Sequence, residues 1–251
     1  MWFFYILHKQ TENDMLNLLM ELRGNSMPIP TAHKGIHRVS ARQQIYDTLK
    51  TWIVEGTLKP GEFIYDSEIA SYFSVSRTPV REAILLLARQ DLVEIVPSKG
   101  TKITETNEAS ARFIYEAISC LSAEIARLAV RKQTSESVEE LKKLNAAFEE
   151  AVNCGDNTKI LEADTAFHNC ILKMADNPYM ENCWQEILPH AYRYELLYFR
   201  SGSDRGSSVK EHAEIIRAFE EKSEGEVARC SQQNWIGFFN ERLKPQLDLI
   251  K

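Results

Sequence analysis

From Val39 to Glu55 the apolar residues Ile45, Leu49, Trp52 and Ile53 recur three or four apart, the repeat of a helix with one buried stripe. GTLKPGEF, residues 56–63, interrupts that repeat with Gly56, Pro60 and Gly61 and predicts a loop. A short helix follows over about 66–73 with Ile69 and Ala70 inward, and Ser74 and Val75 make a tight turn. Ser76 is placed to cap the next helix, and Pro79 lies in its first turn, where a missing N–H costs nothing. Ala83, Leu86 and Leu87 carry that helix to about Gln90. The pattern then switches to two short strands, LVEIV (92–96) and TKITE (101–105), joined by Pro97-Ser98-Lys99-Gly100. Helix, helix, turn, helix and a two-stranded wing make a winged helix-turn-helix.

Beyond Asn107 no strand pattern occurs. Helical periodicity runs in blocks over about 107–132, 135–153, 157–176, 179–200, 207–222 and 225–247. The breaks fall at Gln133-Thr134, Cys154-Gly155-Asp156, Asn177-Pro178, Ser201-Gly202-Ser203 and Ser223-Glu224-Gly225. Short connections between helices predict an antiparallel all-α bundle. The fold class is therefore mainly α. Residues 1–38 read as an N-terminal extension, disordered or from an early start. Residues 39–105 form the winged domain, and residues 107–247 the bundle.

Composition adds two things. The 44% hydrophobic and 26% charged content fits a globular protein, and MWFFYIL at the start is too short to span a membrane. Five cysteines, odd in number and with no C-x-x-C pair, argue against a disulfide framework or a zinc ribbon and fit a reducing cytoplasm. The net charge of −6 opposes nucleic-acid binding until it is divided. Residues 1–27 hold 2 basic and 3 acidic side chains, residues 28–103 hold 10 and 8, and residues 104–251 hold 18 and 25, for nets of −1, +2 and −7. A mildly basic segment joined to an acidic one suits a DNA-binding module with a second, different domain.

Arg77 and Arg81, four apart at the start of the third helix, share a face at the end that approaches base edges in the major groove. The Lys99-Gly100 tip of the wing allows close approach to the DNA backbone. In the helical half, Asp164 and His168 are four apart and share a face, and His212 comes from a later helix that could converge with them on a metal. No glycine-rich phosphate loop, G-x-S-x-G elbow or H-E-x-x-H accompanies them, so an enzyme, metal-dependent or otherwise, is the weaker reading.

LKPGEFIYDSEIASYFSVSRTPVREAILLLARQDLVEIVPSKGTKI, residues 58–103, resembles the DNA-binding signature of the GntR family of bacterial transcriptional regulators. DTAFHNCILKMADNPYM and KEHAEIIRAF resemble the two strongest motifs of that family's FCD (FadR C-terminal) branch. The resemblance covers roughly 39–247. It implies a cytoplasmic homodimer that binds a pseudo-palindromic double-stranded operator and responds to a small-molecule effector, usually a carboxylate. It places DNA contacts on Arg77, Thr78, Arg81, Lys99 and Gly100. It also implies a divalent metal, zinc by default with nickel or manganese compatible, held by Asp164, His168, His212 and, where relatives have a third histidine, Asn234.

Departures from the family pattern carry information. Ser67 stands where many relatives have arginine, and Asp91 replaces a glycine just after the recognition helix; aspartate tolerates the left-handed conformation such a turn needs. Ile118 occupies the position of an arginine that grips the effector's carboxylate, and Ser122 that of a glutamate. The common clamp is absent, which leaves Arg193 and Arg200 as candidate substitutes. An architectural DNA-binding dimer with no effector is the alternative; its Asp164, His168 and His212 would be scattered surface groups.

Overall fold

The computed structural model describes residues 40–200 and 206–249, so the N-terminal extension and the predicted break at 201–203 lie outside the described residues. Helix α1 spans Ala41–Val54; the Ser40 hydroxyl accepts the Gln43 N–H at its start, and Ile45, Leu49 and Ile53 form its buried stripe. Helix α2 spans Asp66–Tyr72 and α3 spans Arg77–Arg89. The α3 stripe is Val80, Ala83, Ile84 and Leu87, which packs against α1 and α2. Asp91, at φ 53°, makes the predicted left-handed turn into the wing.

The wing has one strand more than the sequence suggests. Strand β1 (Phe63–Ile64) pairs antiparallel with β3 (Gly100–Ile103), which pairs antiparallel with β2 (Val93–Val96), giving the order β1-β3-β2. Phe63 faces Lys102, and Val93 faces Ile103. Two residues are too short to show alternation, so β1 reads as loop in the sequence. Leu92, Val93 and Ile103 close the small core from the wing side.

The bundle is built on α4 (Glu108–Lys132), started by the Asn107 side chain and packed against the helices that return beside it. Helix α5 (Ser135–Cys154) opens on a reciprocal Thr134–Ser137 capping box and ends at Gly155, whose φ of 73° suits glycine. Helix α6 spans Asn157–Ala175, α7 spans Pro178–Arg200 and α8 spans Gly206–Glu220. The last block, read from sequence as one helix, is three pieces: α9 (Glu224–Gly237), a π-helical turn over Phe238–Leu243, and α10 (Lys244–Leu249). The wider turn leaves Phe238, Phe239 and Leu243 buried and lets Arg242 reach Glu211 on α8. Such turns are rare and cluster at functional sites.

Two hydrophobic cores result, one around α1, α3 and the wing, the other inside the bundle. They belong to one compact unit from Ser40 onward. The join is polar: Arg193 of α7 donates to the Thr104 hydroxyl at 2.8 Å and to the Thr104 carbonyl at 2.5 Å. Next to it, the Tyr194 hydroxyl accepts the Asn107 N–H at 3.1 Å and donates to the Asn107 carbonyl at 3.0 Å.

The bundle core draws on α4 to α10 alone, so residues 107–251 expressed by themselves should fold as a helical protein with a cooperative melt. Circular dichroism checks this; a random-coil spectrum would refute the division into two folding units.

Candidate functional site

Arg77 and Thr78 are exposed at the start of α3, and no acidic side chain lies in its first turn. Ser76 occupies the cap position, yet its side chain makes no cap hydrogen bond, contrary to the capping expected from sequence. The first-turn N–H groups are thus not occupied by the cap, and with the positive end of the helix dipole they suit a phosphate. Arg81, one turn on, has its side chain 64% exposed and pairs with Asp66 of α2 at 2.8 Å. An exposed pair of this kind is worth about 0–1 kcal/mol, so DNA can take over the guanidinium cheaply. Lys99 is exposed at the wing tip. Gly100 has a structural reason beyond close approach to DNA: its φ is 117°, and a Cβ there would lie 3.0 Å from the Tyr65 ring.

The second cluster is inside the bundle. Asp164 and His168 of α6 and His212 of α8 each offer a ligand atom, and these atoms lie within 4.8 Å of one another. His168 Nε2 is 3.7 Å from Asp164 Oδ2, and His212 Nε2 is 3.4 Å from Asp164 Oδ1. These separations are long for hydrogen bonds, but donors sharing one ion at about 2.1 Å stand roughly 3.4 Å apart. Both His212 nitrogens are buried without a hydrogen bond among the described residues, although the ring is fully enclosed and stacks on Phe167. Buried polar atoms are rarely left so, and an ion among the three side chains would satisfy one of the two nitrogens. The residues fit a metal.

Asn234 of α9 reaches the same place. It is buried, and with Asp164, His168 and Glu195 it lines a cavity of about 20 Å³. Its amide nitrogen donates to Glu211 at 3.0 Å, and Arg242 holds both oxygens of Glu211 at 2.8 Å. This chain fixes the amide nitrogen and leaves the amide oxygen as the acceptor that could meet a cation.

Burial sets the protonation states. Desolvation drives His168 down to about 3, and His212 well below its ordinary value, with the charges of His168 and Arg242 adding to the second. Both imidazoles are therefore neutral, the form that binds metals. Asp164 is pushed up to about 7, first by desolvation and then by the Glu211 charge, with Arg242 opposing. Glu195 is also raised well above the usual carboxylate range, by desolvation and then by Asp164.

A model of the gntR family of bacterial regulatory proteins matches residues 41–103, and one of the FCD domain matches residues 114–235. The chain belongs to the GntR family, in its FCD branch. This GntR-family protein is 26% identical over 209 residues to an uncharacterized HTH-type transcriptional regulator, YdhC, of Bacillus subtilis, covering 82% of this chain and 92% of that one. It is 27% identical over 195 residues to the HTH-type transcriptional repressor RspR of Escherichia coli, covering 76% and 84%. Escherichia coli McbR/YncC shares the fold, with a TM-score of 0.69 at 21% identity over 80% of this chain and 98% of the other. The protein is a transcriptional regulator and not an enzyme.

The effector side of this GntR regulator differs from the sequence expectation. Arg193 does not line the cavity beside Asp164, because its guanidinium is committed to Thr104 at the join with the winged domain. The Arg200 side chain lies outside the described residues. Ile118 is fully buried in the bundle core, and the Ser122 hydroxyl donates to the Ser231 carbonyl at 3.3 Å, so neither rebuilds a carboxylate clamp. Sequence reasoning missed Glu195. Its signal was available: a carboxylate within the apolar stretch AYRYELLYF.

Metal binding requires Asp164 ionised, and its raised pKa makes the proton a competitor below about pH 7. Apparent affinity for a divalent ion should therefore fall about tenfold per unit as pH drops below that value, and level off above it. The neutral histidines add no loss in this range, which replaces the fall near pH 6.5 that ordinary histidines would give. Calorimetric titration between about pH 5.5 and about pH 8 measures this; an affinity independent of pH would contradict it.

Proposed function

We propose that the protein is a homodimeric, ligand-responsive repressor or activator that binds a pseudo-palindromic operator through Arg77, Thr78 and Arg81, with Lys99 and Gly100 of each wing on the flanking backbone. The observation that carries this reading is the exposed α3 N-terminus, where two arginines and an uncapped first turn face outward beside the wing. Arginine forks match both phosphate oxygens and guanine edges. Two copies related by a twofold axis would present two such helices one DNA turn apart. No described helix is long and apolar enough to cross a membrane.

The bundle is the sensing half. Asp164, His168 and His212 hold one divalent metal, with the Asn234 oxygen as a weaker neutral donor. FCD domains are often metal-associated, and the orphaned His212 nitrogens support the same reading here. The cavity of about 20 Å³ admits a water or an ion and no organic molecule, so an effector must enlarge it. The missing arginine at Ile118 argues against simple capture of a carboxylate by charge. The neutral, buried cluster also disfavours the purely architectural alternative, which would leave these groups at the surface.

The test is operator binding by full-length protein at fixed salt, with the site first mapped by footprinting. Arg81→Ala should weaken binding by about 1–3 kcal/mol and relax base preference at the contacted position. Raising the salt should weaken the parent through counterion release. Equal affinity of Arg81→Ala and parent for the mapped site would refute the assignment.

A further inference from the structure

The face of α7 turned into the bundle runs Trp184, Leu188, Ala191, Glu195 and Tyr198, spaced by four, three, four and three residues. All five are buried. Four belong in a core by their chemistry, and the fifth is a carboxylate only 7% exposed. Burying an ionised carboxylate is costly unless a positive charge accompanies it.

The charges nearby supply only part of one. Arg242 hydrogen-bonds both oxygens of Glu211, so its charge is shared with that carboxylate. Asp164 and Glu195 remain, two carboxylates lining one cavity, with a combined charge of −2 when ionised. A divalent cation matches that charge. Glu195 is outside the tight group formed by Asp164, His168 and His212, while the cavity beside that group has room for about one water. A water bound to the ion can therefore donate a hydrogen bond to Glu195.

We propose that Glu195 is the second carboxylate of the metal centre, acting on the ion through a bound water and making the site selective for a hard divalent cation. This rests on the metal reading above and extends it. Asn234 brings an amide oxygen to the cavity, and a set of two carboxylates, an amide oxygen and two imidazoles shifts the preference toward manganese. Glu195 is a positioning and charge-matching residue here, since its contact with the ion runs through water.

Full-length parent, Glu195→Gln and His168→Ala, each stripped of metal, are titrated with manganese(II) and separately with zinc(II). Binding is read by calorimetry, by the manganese paramagnetic resonance signal, and by the shift of the thermal melt. Glu195→Gln keeps the shape of the side chain and should weaken manganese binding about 10- to 100-fold, with a smaller loss for zinc. Its metal-free form should melt at or above the parent, because a carboxylate beside Asp164 has been removed, while its metal-induced gain should shrink. A merely structural glutamate would show the reverse, a lower melt with unchanged metal affinity, and that result overturns the proposal while leaving the metal site intact. Equal losses for both ions would overturn the claim of selectivity. A parent that binds neither ion, and melts as His168→Ala does, would overturn the metal reading itself and this inference with it.

Discussion

The bundle depends on how it accommodates ionisable groups at its centre. Asp164, His168, Glu195 and His212 are all withdrawn from water, and each is moved by desolvation toward its neutral form. An apolar core of the same volume would be as stable or more so, since buried charges seldom add net stability. The wall around them is aromatic: Phe148, Phe167, Trp184 and Trp235 surround the two imidazoles and keep bulk water out. That wall raises the cost of leaving the carboxylates unpaired and strengthens the attraction of any cation that enters. Such a core offers a donor set and a low-dielectric setting that suit a cation.

Helix α7 connects this centre to the DNA-binding half. Glu195 lines the cavity beside Asp164, while Arg193 and Tyr194, immediately before it, hold Thr104 and Asn107 at the entrance to the bundle. Further back, His190 lies beside the backbone at Gln90, where α3 ends, and the Gln90 side chain accepts a hydrogen bond from Tyr46 of α1 at 2.6 Å. One helix thus carries groups for both halves on different faces. Two clefts of about 250 and 400 Å³ lie along the same join, lined by α1 on one side and α7 on the other.

Several of these features were legible without coordinates. The helix blocks follow the 3.6-residue repeat, and their ends follow capping residues such as Asn107, Thr134, Asp156 and Ser223, each of which accepts a first-turn N–H. Asp164 and His168 share a face by spacing alone. Arg77 and Arg81 are set at one end of one helix, and nothing beyond that helix is needed to place them together. These are all local relations, fixed by the geometry of a single element.

Other features depend on distant segments meeting. Strand β1 exists because β3, nearly forty residues later, offers it an edge. The π-helical turn at Phe238–Leu243 lies between Gly237 and Pro245, which mark a break but not its kind, and Arg242 gains its role by reaching Glu211 on another helix. Arg193 and Glu195 are both charged residues on one apolar helix, and their fates diverge because one meets Thr104 and the other meets Asp164's cavity. The sequence by itself determined which helices form, where they stop and which side chains lie on one face of each. The tertiary structure alone decided which faces meet, because burial, desolvation and charge pairing belong to the space between elements rather than to any one of them.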